Sequence, residues 1–160
     1  MVGATGASMR VAKAGVVGAG TMGAAIAEVL AFNGIDVVLK DVDGPTVAKG
    51  IARVQSYVDE LVRFQAERAP KEIARVTEEA GPLSDEQQRK IAAKLAPKFT
   101  AARAAEVVGR VHGATDYAAF ADVDLVVEAV FEREDVKRPV LEALDRVVPA
   151  HAVIGSNTSS

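Results

Sequence analysis

The sequence predicts an α/β fold: a doubly wound parallel sheet with a helical insertion. Two observations lead there. Short β-branched apolar runs alternate with longer helical stretches, a pattern that implies parallel strands joined by right-handed crossovers. The first run is followed at once by three closely spaced glycines, Gly18, Gly20 and Gly23, which open a helix. At 160 residues the chain has the length of one domain, and with 49% apolar residues it can bury a substantial core.

Residues 13–17 (KAGVV) read as a buried strand, and 21–32 as an alanine-rich helix stopped by Asn33-Gly34. Residues 35–39 (IDVVL) form the second strand. Asp43-Gly44-Pro45 is a turn, with Pro45 suited to the first turn of the next helix. That helix carries Val47, Ile51, Val54, Val58, Leu61 and Val62 at helical spacing. Residues 65–108 are charged and alanine-rich. They read as a helical excursion between strands, expected as an antiparallel pair, broken by Gly81-Pro82 and interrupted again by Pro97. Ser84 and Gln87 form a capping box where the second helix begins.

Residues 107–112 read as a weak third strand, 117–121 as a short turn or helix, and 124–130 (DLVVEAV) as a strong strand. Residues 134–148 form a helix with Val136, Val140, Leu141, Leu144 and Val148 on one face, and 152–155 a last short strand. The expected strand order is 3-2-1-4-5. Residues 1–12 are expected to be a mobile lead-in to a domain spanning 13–160.

Composition excludes several function classes. With 19 basic and 22 acidic residues the net charge is −3, which argues against a nucleic-acid partner or an anionic membrane surface. There is no cysteine, so disulfides and thiolate chemistry are ruled out. The two histidines join no cluster with metal-ligand spacing, so no metal is expected. No apolar run reaches the ~20 residues that span a bilayer. The start of the chain lacks the apolar core of a signal peptide, and the expected location is cytoplasmic.

The glycines occur in the context that gives G-x-G-x-x-G meaning, directly after a strand and opening a helix at Thr21. Gly18 permits the tight turn, Gly20 lets a pyrophosphate approach the backbone, and Gly23 lets helix and strand pack closely. The helix N-terminus offers free N–H groups and the positive end of its dipole. Asp41 ends the second strand about 20 residues on, where a carboxylate accepts hydrogen bonds from ribose hydroxyls and repels a 2′-phosphate. The adjacent Lys40 points to the other face. The expected fold is therefore Rossmann-like and the expected cofactor NAD rather than NADP.

GAGTMGAAIA, VVLKDVD, DLVVEAVFE and SNTSS, in that order, resemble the NAD-binding domain of 3-hydroxyacyl-CoA dehydrogenases. The likeness is strongest to the dehydrogenase portion of multifunctional fatty-acid oxidation proteins. It covers most of residues 13–64 and 113–160, and the helical excursion looks longer than the family's usual segment. The resemblance implies that Met22 contacts the dinucleotide through its backbone and that Asp41 holds the adenine ribose. It places Val130, Phe131 and Glu132 at the cofactor edge and Lys137 near the nicotinamide ribose. It places Ser159 against both the cofactor and the 3-hydroxyl of an acyl-CoA, with Asn157 in the same loop.

The implied reaction is oxidation of (S)-3-hydroxyacyl-CoA in fatty-acid β-oxidation, with hydride passing to NAD. The family's base is a histidine, paired with a glutamate, and both lie beyond SNTSS. The chain is therefore expected to contain no catalytic residue, to lack the helical catalytic domain and to turn over no acyl-CoA alone. His151 is expected at the amino edge of the sheet. His112 is expected at the end of the third strand, roughly 14 Å from the fourth. Two other readings stay open: a stand-alone, non-catalytic NAD-binding or regulatory module, and the cofactor domain of another β-hydroxyacid dehydrogenase. Apolar surface left uncovered by a missing domain would favour a homo-oligomer.

Overall fold

β1 (Lys13–Val17) runs through the middle of a five-stranded sheet, with β2 (Asp36–Lys40) and β4 (Leu125–Glu128) as its neighbours. β3 (Val111–Ala114) and β5 (Val153–Ser156) complete the order β3-β2-β1-β4-β5, all parallel, as expected. The helices are α1 (Thr21–Phe32), α2 (Gly44–Ala80), α3 (Asp85–Lys94), α4 (Ala101–Gly109) and α5 (Glu134–Val147), with a 3₁₀ turn at Tyr117–Phe120. The computed structural model describes residues 10–157. Residues 1–9 of the expected lead-in and 158–160 lie outside the described residues. Ala12 is tied on both sides: its amide donates to Asp124 Oδ2 at 2.8 Å and its carbonyl accepts from Asp36 N at 3.1 Å.

Alternation along the central strands divides the core into two layers. Val16, Val37 and Leu39 pack with Ala24, Ala27 and Ala31 of α1, Val54 and Val58 of α2, and Val107 of α4. Val17, Val38 and Val126 face the other way, onto Phe120, Val123, Val140 and Leu144. The alanines of α1 let that helix lie close to the sheet. Gly15 plays the equivalent part on the opposite face: a Cβ there would fall 2.0 Å from the fully buried ring of Phe120.

The helical region differs from expectation in its divisions. No boundary falls near residue 65. α2 is capped by the Asp43 carboxylate, which accepts from Thr46 N at 2.7 Å, and runs 37 residues through Pro70 to Gly81. Its buried residues, Val47, Gly50, Val54 and Val58, all lie in the first half. α3 starts at the expected Ser84–Gln87 capping box and folds back antiparallel, leaving a cleft of about 470 Å³ between Arg68–Arg75 of α2 and Ile91, Lys94 and the C-cap Leu95 at the end of α3.

The third strand is corrected from 107–112 to Val111–Ala114. Val107 and Val108 belong to α4, which Thr100 caps and whose Ala104 and Val107 enter the core one turn apart. Helical burial of that pair outweighs the β preference of a Val-Val step. His112 is consequently the second residue of its strand rather than the last. β2 is shifted one residue from the expected 35–39. β4 is shorter than the expected 124–130, because Val130 N turns back to the Glu128 side chain. The expected apolar face of α5 is only partly covered: Val140 and Leu144 are buried, but Leu141 is exposed, as are Val153 and Ile154 on edge strand β5.

Asp124 closes the amino edge. Its carboxylate accepts from the amides of Ala12 (2.8 Å) and Lys13 (3.1 Å) and lies 3.3 Å from His151 Nε2. The Ala12 amide first, then that of Lys13, hold its pKa below the ordinary value.

Two outcomes follow from these contacts. Gly15→Ala should lower unfolding stability by about 1–3 kcal/mol, the range for overpacking, in urea melts. The folded Asp124 carboxyl is the more acidic one, so its contribution is complete above about pH 5 and fades as pH falls through ~4 and below. Asp124→Asn should therefore lower stability at neutral pH, and that deficit should shrink in melts taken toward pH 3.

Candidate functional site

The loop from β1 to α1 is shaped by its glycines, each for a different reason. Gly18 has φ +104°, and a Cβ on it would fall 2.6 Å from Ala129 O, in the loop after β4. A Cβ on Gly23 would fall 1.7 Å from Gly18 O. Both glycines therefore serve the loop's own packing. Gly20 is different: it is exposed, its φ of −70° suits any residue, and a Cβ on it meets nothing within 4 Å. The space beside it opens outward. Among the described residues α1 has no side-chain cap and no acid in its first turn, so the amides around Thr21 and Met22 are left to a ligand.

Asp41 faces this loop. Its Oδ2 accepts from Ala19 N at 2.6 Å and its Oδ1 from Val42 N at 2.7 Å. A carboxylate offers about four acceptor positions, so each oxygen retains capacity for a hydroxyl. α2 braces the same loop from behind. Arg53 Nη1 donates to Ala19 O at 3.2 Å, and a Cβ on Gly50 would fall 2.6 Å from Ala19 Cβ. Lys40 turns away from Asp41, nearly buried, with Nζ 4.1 Å from the centroid of Tyr117. Burial, and then the charge of Asp41, raises the Tyr117 pKa.

A second constellation sits where β4 and β5 end. Glu128 is fully buried. Its Oε1 accepts from Val130 N at 2.7 Å, and its Oε2 accepts from Ser156 Oγ at 2.5 Å. Lys137, in the first turn of α5, brings Nζ to 3.5 Å from Glu128 Oε2, 3.3 Å from Glu132 Oε1 and 3.5 Å from Ser156 Oγ. Phe131 is 83% exposed, and Asn157 N donates to Glu128 O at 2.8 Å. The two constellations flank the step between β1 and β4. The chain there reverses its direction of winding, and an open α/β sheet binds its ligand in the crevice beyond the strands' carboxyl ends.

The family model for the 3-hydroxyacyl-CoA dehydrogenase NAD binding domain matches residues 13–88 and 67–160. The chain belongs to this family. A probable 3-hydroxybutyryl-CoA dehydrogenase of Deinococcus radiodurans is 33% identical over 148 residues, covering 92% of this chain and 41% of that protein. A peroxisomal fatty acid beta-oxidation multifunctional protein of Arabidopsis thaliana is 28% identical over 151 residues, covering 94% of this chain and 16% of that protein. The crystal structure of (S)-3-hydroxybutyryl-CoA dehydrogenase from Ralstonia eutropha superposes with a TM-score of 0.66 at 30% identity, covering 94% of this chain and 42% of that one. The chain thus spans less than half the length of these relatives.

NAD is the cofactor of this 3-hydroxyacyl-CoA dehydrogenase NAD-binding domain. The geometry fits it: an open face at Gly20, helix amides with no side-chain cap among the described residues, and an acceptor at Asp41 line one side of the crevice. Of the residues singled out in the sequence, Gly18, Gly20, Thr21, Met22, Gly23 and Asp41 gather on the β1–β2 side. Val130, Phe131, Glu132, Lys137 and Asn157 gather on the β4–β5 side. Ser159 lies outside the described residues. The sequence reading missed Arg53, Gly50, Glu128 and Ser156. Glu128 had a visible signal, a charged residue inside the apolar run LVVEAV. Among the described residues no His, Asp and Glu cluster could hold a metal, and no helix is long and apolar enough to cross a membrane.

Gly20→Val separates the roles of the loop glycines. Gly20 is the N-cap of α1, so the variant should lose about 1 kcal/mol of stability, the usual cost of a poor cap, and keep a cooperative melt, yet lose NAD binding in calorimetric titration.

Proposed function

We propose that this chain is the cofactor half of an NAD-dependent (S)-3-hydroxyacyl-CoA dehydrogenase acting in fatty-acid β-oxidation. The observation that carries the proposal is the pairing of Asp41 with the glycine loop at 2.6 Å in a chain of this family. The open backbone at Gly20 and the α1 amides grip the diphosphate, and Asp41 accepts from the adenine-ribose hydroxyls. Lys137 and Glu132 hold the nicotinamide ribose, with Val130 and Phe131 lining that edge. The family resemblance assigns Ser159, with Asn157 of the same motif, to the substrate hydroxyl. NAD, when bound, supplies the hydride acceptor.

The base that takes the hydroxyl proton must reach within ~3 Å of it or act through one water. His151 is paired with Asp124 at the amino edge, and His112 lies early in β3, on the far side of β2 and β1 from Lys137. The base therefore comes from outside these two histidines, and this chain alone oxidises no acyl-CoA. The exposed apolar residues Leu141, Val153 and Ile154 support a covering domain or a second copy as partner. The reading as a non-catalytic NAD-binding module shares all of this geometry. Adding the helical domain of a relative separates the two, since only the first predicts NADH production.

Wild type should bind NAD more tightly than NADP in calorimetric titration. Asp41→Ala should weaken NAD by about tenfold or more, from lost hydrogen bonds to a charged acceptor worth about 1.5–3 kcal/mol. It should weaken NADP less, because the repulsion of a 2′-phosphate goes with the carboxylate. Equal losses for the two would refute the assignment of Asp41 to the ribose.

A further inference from the structure

A buried carboxylate is costly, and an apolar side chain of similar volume would pack β4 at least as well. Glu128 nevertheless ends that strand with no exposure. Each contact it makes is to a donor: Val130 N, Ser156 Oγ and Lys137 Nζ. Val130 N and Lys137 Nζ can only donate, so both carboxylate oxygens are held in place as acceptors. The three donors come from the loop after β4, the end of β5 and the first turn of α5. Glu128 thus draws three segments together at the carboxyl edge.

Lys137 brings one positive charge to this edge, and Glu128 sets a carboxylate 3.5 Å behind it. The neighbouring charges pair off as Arg133 with Asp135 and Arg138 with Glu134. Asp41 fixes the adenosine half of a dinucleotide on the β2 side of the crevice, which leaves the nicotinamide half on the β4–β5 side. The nicotinamide ring is cationic when oxidised and neutral when reduced.

We propose that Glu128 is a specificity-determining residue: buried behind Lys137, it offsets that cation at the nicotinamide edge and tilts binding toward oxidised NAD relative to NADH. It acts through the position of Lys137 and through its own charge. The proposal rests on the cofactor reading above.

The test measures dissociation constants of this chain for NAD⁺, NADH and ADP, in wild type, Glu128→Gln and Glu128→Met. ADP engages only the glycine loop and Asp41, so its affinity reports an intact fold and an intact adenosine site. ADP should bind all three proteins within about twofold. In both variants NAD⁺ should weaken about fivefold more than NADH, a change expected when one charge is removed near a charged ligand. An unchanged NAD⁺-to-NADH ratio with ADP binding intact would overturn the proposal. Loss of ADP binding and of a cooperative melt in both variants would also overturn it, because the residue would then serve the fold alone. Wild type that binds neither ADP nor NAD would instead overturn the cofactor reading itself.

Discussion

The close approach of one loop to its surroundings governs this molecule. Residues 18–23 are held on three sides: by the loop after β4 against Gly18, by the Asp41 carboxylate on Ala19 N, and by Gly50 and Arg53 of α2 behind Ala19. None of these contacts tolerates an extra methyl at Gly18, Gly23 or Gly50 without movement. The loop is therefore a fixed shape, presented at the one place where the sheet's winding reverses. Its rigidity comes from backbone and small side chains, so the helix amides need not be ordered again each time a ligand arrives.

The two sides of the crevice are built by different means. On the β1–β2 side the polar groups are mostly main chain, and a single carboxylate orients them. On the β4–β5 side they are side chains, and a buried glutamate gathers them. The amino edge of the sheet is closed instead, by Asp124 with two amides and His151. The molecule is thus polarised along its strands, with hydrogen-bonding capacity spent at one end and retained at the other.

Much of this was legible in the residues. The glycine spacing, the β-branched runs and the capping box at Ser84 each act over a few residues, so local chemistry decides them. That is why β1, α1, the Ser84–Gln87 cap and the strand order matched expectation. Features decided by distant partners were not legible. Val107 and Val108 favour a strand on their own, yet α4 claims them because Ala104 and Val107 together fill a gap in the core beside α1 and α2. α2 continues through Pro70, where a local reading would expect strain. In the site, Asp41 was readable from its distance to the glycines. The bracing of Ala19 by Arg53, 34 positions away, and the pairing of Glu128 with Ser156, 28 positions away, depend on the folded geometry.

The unequal surroundings of the three loop glycines bear on how such a domain records its own history. Selection for folding alone preserves glycine at 18 and 23, because neighbouring backbone occupies the room a methyl would need. It is more permissive at 20, where only an incoming molecule competes for space. In a lineage that keeps the fold but abandons the ligand, position 20 is free to drift while its two neighbours stay fixed.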